Sequence, residues 1–169
     1  MVLPDVLIPN LSVVFCGTAV GFKSAETSCY YAGTGNKFYS ILKQTNFTSR
    51  QINPLNYKKL TEFNIGLTDI AKLTKGNDSD LKHEDFDIKG FIKKIEKFQP
   101  QFVCFNGKAS AAVFLFNKIK QTGKVNYGIL PQTISKTKLF VAPSTSGSAN
   151  SSWDESYWYE LKKLVDNGK

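Results

Sequence analysis

Histidine is almost missing from this chain: His83 is the only one, and it lies in the charged stretch DLKHEDFD. That position reads as surface and argues against a histidine-based triad or a zinc site. The three cysteines, Cys16, Cys29 and Cys104, are odd in number and show no CxxC spacing. Cys16 and Cys104 fall inside the apolar runs VVFCG and FVCFN, so they read as reduced core residues. No apolar run approaches the roughly 20 residues needed to span a bilayer. The first residues, MVLPDVLIPN, carry neither the basic region nor the cleavage site of a signal peptide. We therefore expect a soluble protein of the cell interior: cytoplasmic, nucleoid-associated in a prokaryote or nuclear in a eukaryote. Neither GxxxxGKS/T nor GxGxxG occurs, which counts against a small-molecule nucleotide enzyme.

Lysine, by contrast, is abundant. With 22 Lys and Arg against 14 Asp and Glu, the chain carries a formal charge of +8. Such a balance suits a polyanionic partner, nucleic acid first and an anionic membrane as its rival. At 169 residues and 41% hydrophobic, the chain has the size of one domain that buries its own core, and residues 1–169 are expected to form that single domain.

Leu11 to Cys16 and Phe102 to Phe105 are short runs rich in Val and Phe that end in the loop signals GT and NG. Buried parallel strands have this form. Leu139 to Ala142, ending at Pro143, and Ile65 to Leu67 suggest two more. Helical patterns lie between them, at Lys37 to Gln44, Pro54 to Phe63, Asp87 to Phe98, Lys108 to Lys118 and Trp153 to Val165. Lys72 to Asp87 reads as a mobile surface loop. The alternation predicts an α/β fold, a three-layer α/β/α sandwich around a central, mostly parallel sheet. Ligands of such folds sit at the carboxyl ends of the strands, so the segments to search are Gly17 to Gly35, Thr68 to Asp80 and Pro143 to Ser152.

In the first of these, GTAVG is followed by SA, YYAG and GNKFY; in the last, a strand runs into APSTSGSAN. In these elements, and in GLTD and QPQFVCFNGKAS, the chain resembles the uracil-DNA glycosylase superfamily, in particular its mismatch-specific uracil and thymine branch. The likeness covers nearly the whole sequence. It implies a cofactor-free enzyme that acts as a monomer on uracil-containing DNA, duplex or single-stranded, with no membrane partner and no metal. Such an enzyme flips a deaminated base (uracil, or hypoxanthine or xanthine) and hydrolyses its N-glycosidic bond to leave an abasic site.

The resemblance also assigns roles. Gly17, Thr18, Ala19, Val20 and Gly21 form a loop on the edge of the base, whose backbone N–H groups stabilise the departing anion; Ser24 belongs to the same pocket. Tyr31 stacks on the flipped base, a contact worth about 1 to 3 kcal/mol, or is a core aromatic. Asn36 orders the pocket loop. Ser144 and Ser146 hold flanking phosphates, and Gly147, Ser148, Ala149 and Asn150 enter the duplex, unless the Ser-rich loop is simply flexible. Lys108, at a helix start, holds a phosphate or is solvated. No lysine is placed at the pocket rim, so no lyase step is expected.

The chain departs from the usual family pattern at Ala19, where members mostly have Asn, or Asp in other branches, to direct the attacking water, and it resembles the subset with Ala in this motif that also carries GLTD. Asp69 of GLTD is the candidate substitute, a carboxylate that directs water and offsets the positive charge developing on the sugar. Its other reading is a cap on a turn through the amides of Ala71 or Lys72. A silent damaged-DNA-binding protein of the same fold is the alternative function that Ala19 motivates.

Overall fold

Strand β1 (Val13–Val20) sorts its side chains by alternation, sending Val13 and Phe15 into one core and Val14 and Cys16 into another. The same alternation recurs in β3 (Phe102–Asn106) and β5 (Thr137–Ala142), so the sheet is buried on both faces. The structure, a computed structural model, describes residues 1–169. Its five strands, with β2 spanning Ile65–Lys75, run in the order β2-β1-β3-β5-β4, all parallel except for β4 (Gly128–Ile134), which pairs antiparallel with β5. One core lies under α2 (Phe38–Gln44) and α5 (Ser156–Asn167), with Phe15 stacked on Trp158 at a ring-centroid distance of 5.4 Å. The other lies under α3 (Ile88–Phe98) and α4 (Lys108–Phe116). The result is the expected three-layer α/β/α sandwich. No helix is long and apolar enough to cross a membrane.

Helix α3 starts where Asp87 accepts a hydrogen bond from the Gly90 amide at 2.8 Å, and it buries Phe91 and Ile95 four residues apart on one face. Removing the cap in Asp87→Ala should lower stability by about 1 kcal/mol. Thermal unfolding measures that loss.

Several boundaries differ from the sequence expectation. β1 does not stop at Cys16: Gly17, Thr18, Ala19 and Val20 continue the strand instead of forming a loop, because β2 pairs with them (Gly17 with Asp69, Ala19 with Ala71). β2 runs from Ile65 to Lys75, so Asp69 sits in mid-strand and caps no turn. The expected mobile loop begins as strand at Lys72–Lys75 and continues through two capped 3₁₀ turns, Asp78–Asp80 and His83–Asp85. Pro54–Phe63 is 3₁₀ rather than α-helical. A short helix α1 (Phe22–Thr27) and strand β4 were not anticipated.

The N-terminal segment lies antiparallel beside β2. Val6 and Leu67 exchange two backbone hydrogen bonds of 2.9 Å, and the Val2 amide donates to the Lys72 carbonyl at 2.9 Å. This segment places Asp5 against the middle of the strand.

Candidate active site

The chain leaves β1 for β2 on one side and later returns to β3 on the other, so the crevice at the carboxyl ends of β1 and β3 is the switch point of the sheet. A cleft of about 850 Å³ opens there. It is lined by Gly17–Gly21, Tyr30 and Tyr31, Asp69, Asn106 to Ala109, and Ser144 to Ser146. Pairing with β3 ends at Cys16, while β1 runs on to Val20 beside β2 alone. Alternate backbone groups on that side of Gly17–Val20 therefore have no strand partner and face the cleft region.

Asp69 is 3% exposed on the cleft floor. Its Oδ2 has no hydrogen-bond partner in the protein; the nearest cation, the Lys72 ammonium, stands 3.6 Å away. Burial pushes the Asp69 carboxyl up to about 6, against the pull of Lys72. The Tyr31 hydroxyl is likewise buried without a partner. Burial, reinforced by the charge of Asp69, pushes this hydroxyl well above the ordinary tyrosine range. The two groups converge on Gly17: a Cβ built there would lie 2.6 Å from Asp69 Oδ1 and 3.7 Å from the Tyr31 hydroxyl. Unsatisfied buried polar groups cost about 1 to 3 kcal/mol each, and two of them on one cleft floor mark a place built for something other than stability.

The loop that carries Tyr31 is tightly held. Tyr39 donates to the Tyr30 carbonyl at 2.6 Å, and the Ala32 amide donates to Ser24 Oγ at 3.0 Å, which commits the Ser24 hydroxyl to the loop itself. Tyr31 has φ 53°, a left-handed conformation that a tyrosine adopts only when its surroundings impose it. Its half-buried ring leans on Phe38, with centroids 4.1 Å apart. Asn36 accepts from the Phe38 amide at 3.0 Å and so opens α2.

Across the cleft, Asn106 ends β3 and clamps the segment after β5. Its Nδ2 donates to Thr145 Oγ1 at 2.9 Å, and its Oδ1 accepts from the Thr145 amide at 3.0 Å. Gly107 follows with φ 107°, and a side chain there would also press on Ser144 Cβ at 3.1 Å. Ser144 Oγ accepts from the Ser146 amide at 3.2 Å, and Gly147–Ser152 forms a 3₁₀ turn with Ser148 and Asn150 turned to solvent. The segment Thr145 to Asn150 is tied to the start of α2 by the Lys37 amide, which donates to the Thr145 carbonyl at 2.8 Å, and by the Lys37 ammonium, which donates to Asn150. Lys108, the first residue of α4, lies with Nζ 4.5 Å from the Tyr127 ring centroid. Ala19 lines the cleft, half-buried.

Every site residue named from the sequence thus falls on or near one cleft, with Asp69 on its floor and the Tyr31 hydroxyl buried beside it. Sequence reasoning missed Asn106, Lys72 and Asp5. Asn106 could have been found, since it closes the strand FVCFN at the carboxyl end where ligands bind.

Residues 4–163 match the family described as the uracil DNA glycosylase superfamily. The fold is also similar to a solution NMR structure from Methanosarcina acetivorans, of a protein provisionally named a uracil DNA glycosylase. The TM-score is 0.65 at 20% identity, over 97% of this chain and 96% of the other.

Proposed function

Because the chain belongs to the uracil-DNA glycosylase superfamily, we propose that residues 1–169 act as one domain, a monofunctional DNA glycosylase that takes a deaminated base, uracil foremost, out of the base stack and hydrolyses its N-glycosidic bond. The observation that carries this reading is the Asp69 carboxylate, buried beside Gly17 and the Tyr31 hydroxyl with its Oδ2 unpaired. A base drawn from DNA enters the cleft against the Tyr31 ring, and the backbone of Gly17–Gly21 reads its edge. Asp69 takes a proton from water as the water oxygen bonds to the sugar C1′ and the C1′–N bond breaks. The base leaves as an anion, is stabilised by backbone N–H groups and then takes up a proton. The negative Asp69 also offsets the positive charge that grows on the sugar. The abasic strand is the product.

The Ser144–Asn150 segment faces the DNA. With no bulky side chain at Gly147, Ser148 or Ala149 it plugs the duplex weakly, which favours bases that leave the stack easily, such as uracil opposite guanine or in single strands. Ser144, Ser146 and Lys108 contact flanking phosphates.

The test is release of uracil, hypoxanthine, xanthine and thymine from single strands and defined mismatches. No release from any of them would leave the second reading, a silent binder of damaged DNA, which Ala19 favours. For uracil, the rate should fall on the acid side with a midpoint near pH 6, because only the ionised Asp69 accepts the proton. A profile flat down to pH 5 would remove Asp69 from the reaction.

A further inference from the structure

Behind Asp69, on the side away from the cleft, lies a set of charges that the reaction above does not use. Asp5, from the N-terminal segment, meets the Lys72 ammonium at 3.0 Å through Oδ1 and the Lys94 ammonium at 2.6 Å through Oδ2. Thr68, next to Asp69 in β2, donates to Asp5 Oδ1 at 2.7 Å, and Lys94 of α3 reaches Thr68 Oγ1 at 3.2 Å. Lys72 also donates to the Tyr30 hydroxyl at 2.9 Å, and that hydroxyl donates to the Pro4 carbonyl at 3.2 Å.

In a regular strand, residues three apart point to opposite faces, and Lys72 would turn its back on Asp69. Here the register breaks after Ala71: Ala19 pairs with Ala71, but Val20 pairs with Lys75. This bulge lets Lys72 curl around the edge of β2 to stand between two carboxylates, 3.0 Å from Asp5 and 3.6 Å from Asp69. The sharing is unequal. Asp5 holds two ammonium groups and a hydroxyl, whereas Asp69 has only the more distant approach of Lys72. Burial pushes the Asp5 carboxyl up, but Lys72, Lys94 and Thr68 outweigh it and hold it below the usual range.

We propose that Lys72 and Asp5 are positioning residues for the reaction: Lys72 keeps Asp69 ionised at the cleft floor, and Asp5 limits how strongly Lys72 can do so, which leaves Asp69 basic enough to accept a proton. This rests on the role given to Asp69 above. The groups facing Asp69 are Lys72 on its own strand, Asp5 from the N-terminal segment, Lys94 from α3, Cys16 from β1 and the Tyr30 and Tyr31 hydroxyls from the loop after α1. Of these, Lys72 and Asp5 exert the largest opposed electrostatic effects on it.

The couple makes predictions of opposite sign. In Lys72→Met, Asp69 loses its nearest cation, while Asp5 remains ionised through Lys94 and Thr68. In Asp5→Asn, Lys72 has Asp69 as its one remaining anion. The experiment follows the Asp69 carboxyl carbon by NMR titration and the uracil-release rate across pH in wild type and both variants. Lys72→Met should move the titration and the acid limb of the rate upward by about one pH unit or more, and Asp5→Asn should move both downward. Lys72→Arg, which keeps the charge, should hold the wild-type position, and Lys72→Gln, which removes the charge but stays polar, serves as the lysine variant if Lys72→Met does not fold. Shifts in the same direction in both variants, or no shift in Asp5→Asn, overturn the proposal. If the carboxyl titration moves as expected while the rate profile does not follow, the couple stands and the catalytic role of Asp69 falls.

Discussion

Replacing Asp69 by asparagine is expected to lower uracil release about a thousandfold, the range lost when a positioned general base is removed, while making the folded protein more stable at neutral pH. Asparagine keeps the shape but takes no proton, so single-turnover release at pH 7.5 reads the chemical loss. Stability runs the other way. The Asp69 carboxyl is at about 6 in the folded protein against an ordinary value of 3.8. Its folded form thus binds a proton more tightly than the unfolded chain does. The stability this group contributes is fully present below about pH 4 and is lost as pH rises through 6. At pH 7.5 the native state carries a buried charge that the unfolded chain exposes to water, a disadvantage on the order of 2 to 3 kcal/mol. The neutral asparagine removes it, so the thermal midpoint should rise by several degrees, and the difference from wild type should shrink as pH falls below 5. A variant that loses stability at pH 7.5, or one that still releases uracil at the wild-type rate, contradicts the assignment.

Gly17→Ala should reduce release about a hundredfold through geometry alone, the size of effect that misplacing a reacting group by about 1 Å produces. The added methyl would stand 2.6 Å from Asp69 Oδ1. The carboxylate cannot stay and must turn away from Gly17. Because the obstruction is the end of a side chain rather than backbone, the fold survives, and unfolding curves should stay close to those of wild type. Gly66→Ala is the contrast: there the methyl meets the Val6 carbonyl and Leu11 Cδ1 at 2.6 Å, so stability is lost first. Release by Gly17→Ala at the wild-type rate would mean that Asp69 does not act from the observed position.

How much of this was legible in the sequence varies residue by residue. Phe15, Cys16, Val103 and Phe105 declared buried strands because both faces of the sheet are covered, which gives continuous apolar runs. Gly17-Thr18-Ala19 looked like a loop on local preference, yet pairing with β2 makes it strand, a case of tertiary context overriding propensity. β4 was hidden by Pro131, which interrupts a strand pattern; the structure accommodates it on the sheet edge, within a register break between Ile129 and Thr133. The six residues of α1 are too few to show a periodicity. Asp69 could be named because Ala19 leaves the first motif without a polar group and NIGLTD looks like a strand reaching the same rim, although the strand in fact runs on past it to Lys75. Lys72 could not, since its approach depends on a bulge, and Asp5 could not, since it lies 64 positions away and reaches Asp69 only through the pairing of the N-terminal segment with β2.

That segment has one more consequence, for how copies of this chain behave side by side. A sheet edge with free N–H and C=O groups recruits other chains into itself. Here the β2 edge is occupied by residues 2–6 of the same chain, and the β4 edge is broken by Pro131, which has no amide hydrogen to give. Neither rim offers a continuous ladder. A lysine-rich protein that gathers at high local density along a polyanion therefore has little backbone to share with its neighbours, and crowding on the strand does not invite fibre-like pairing.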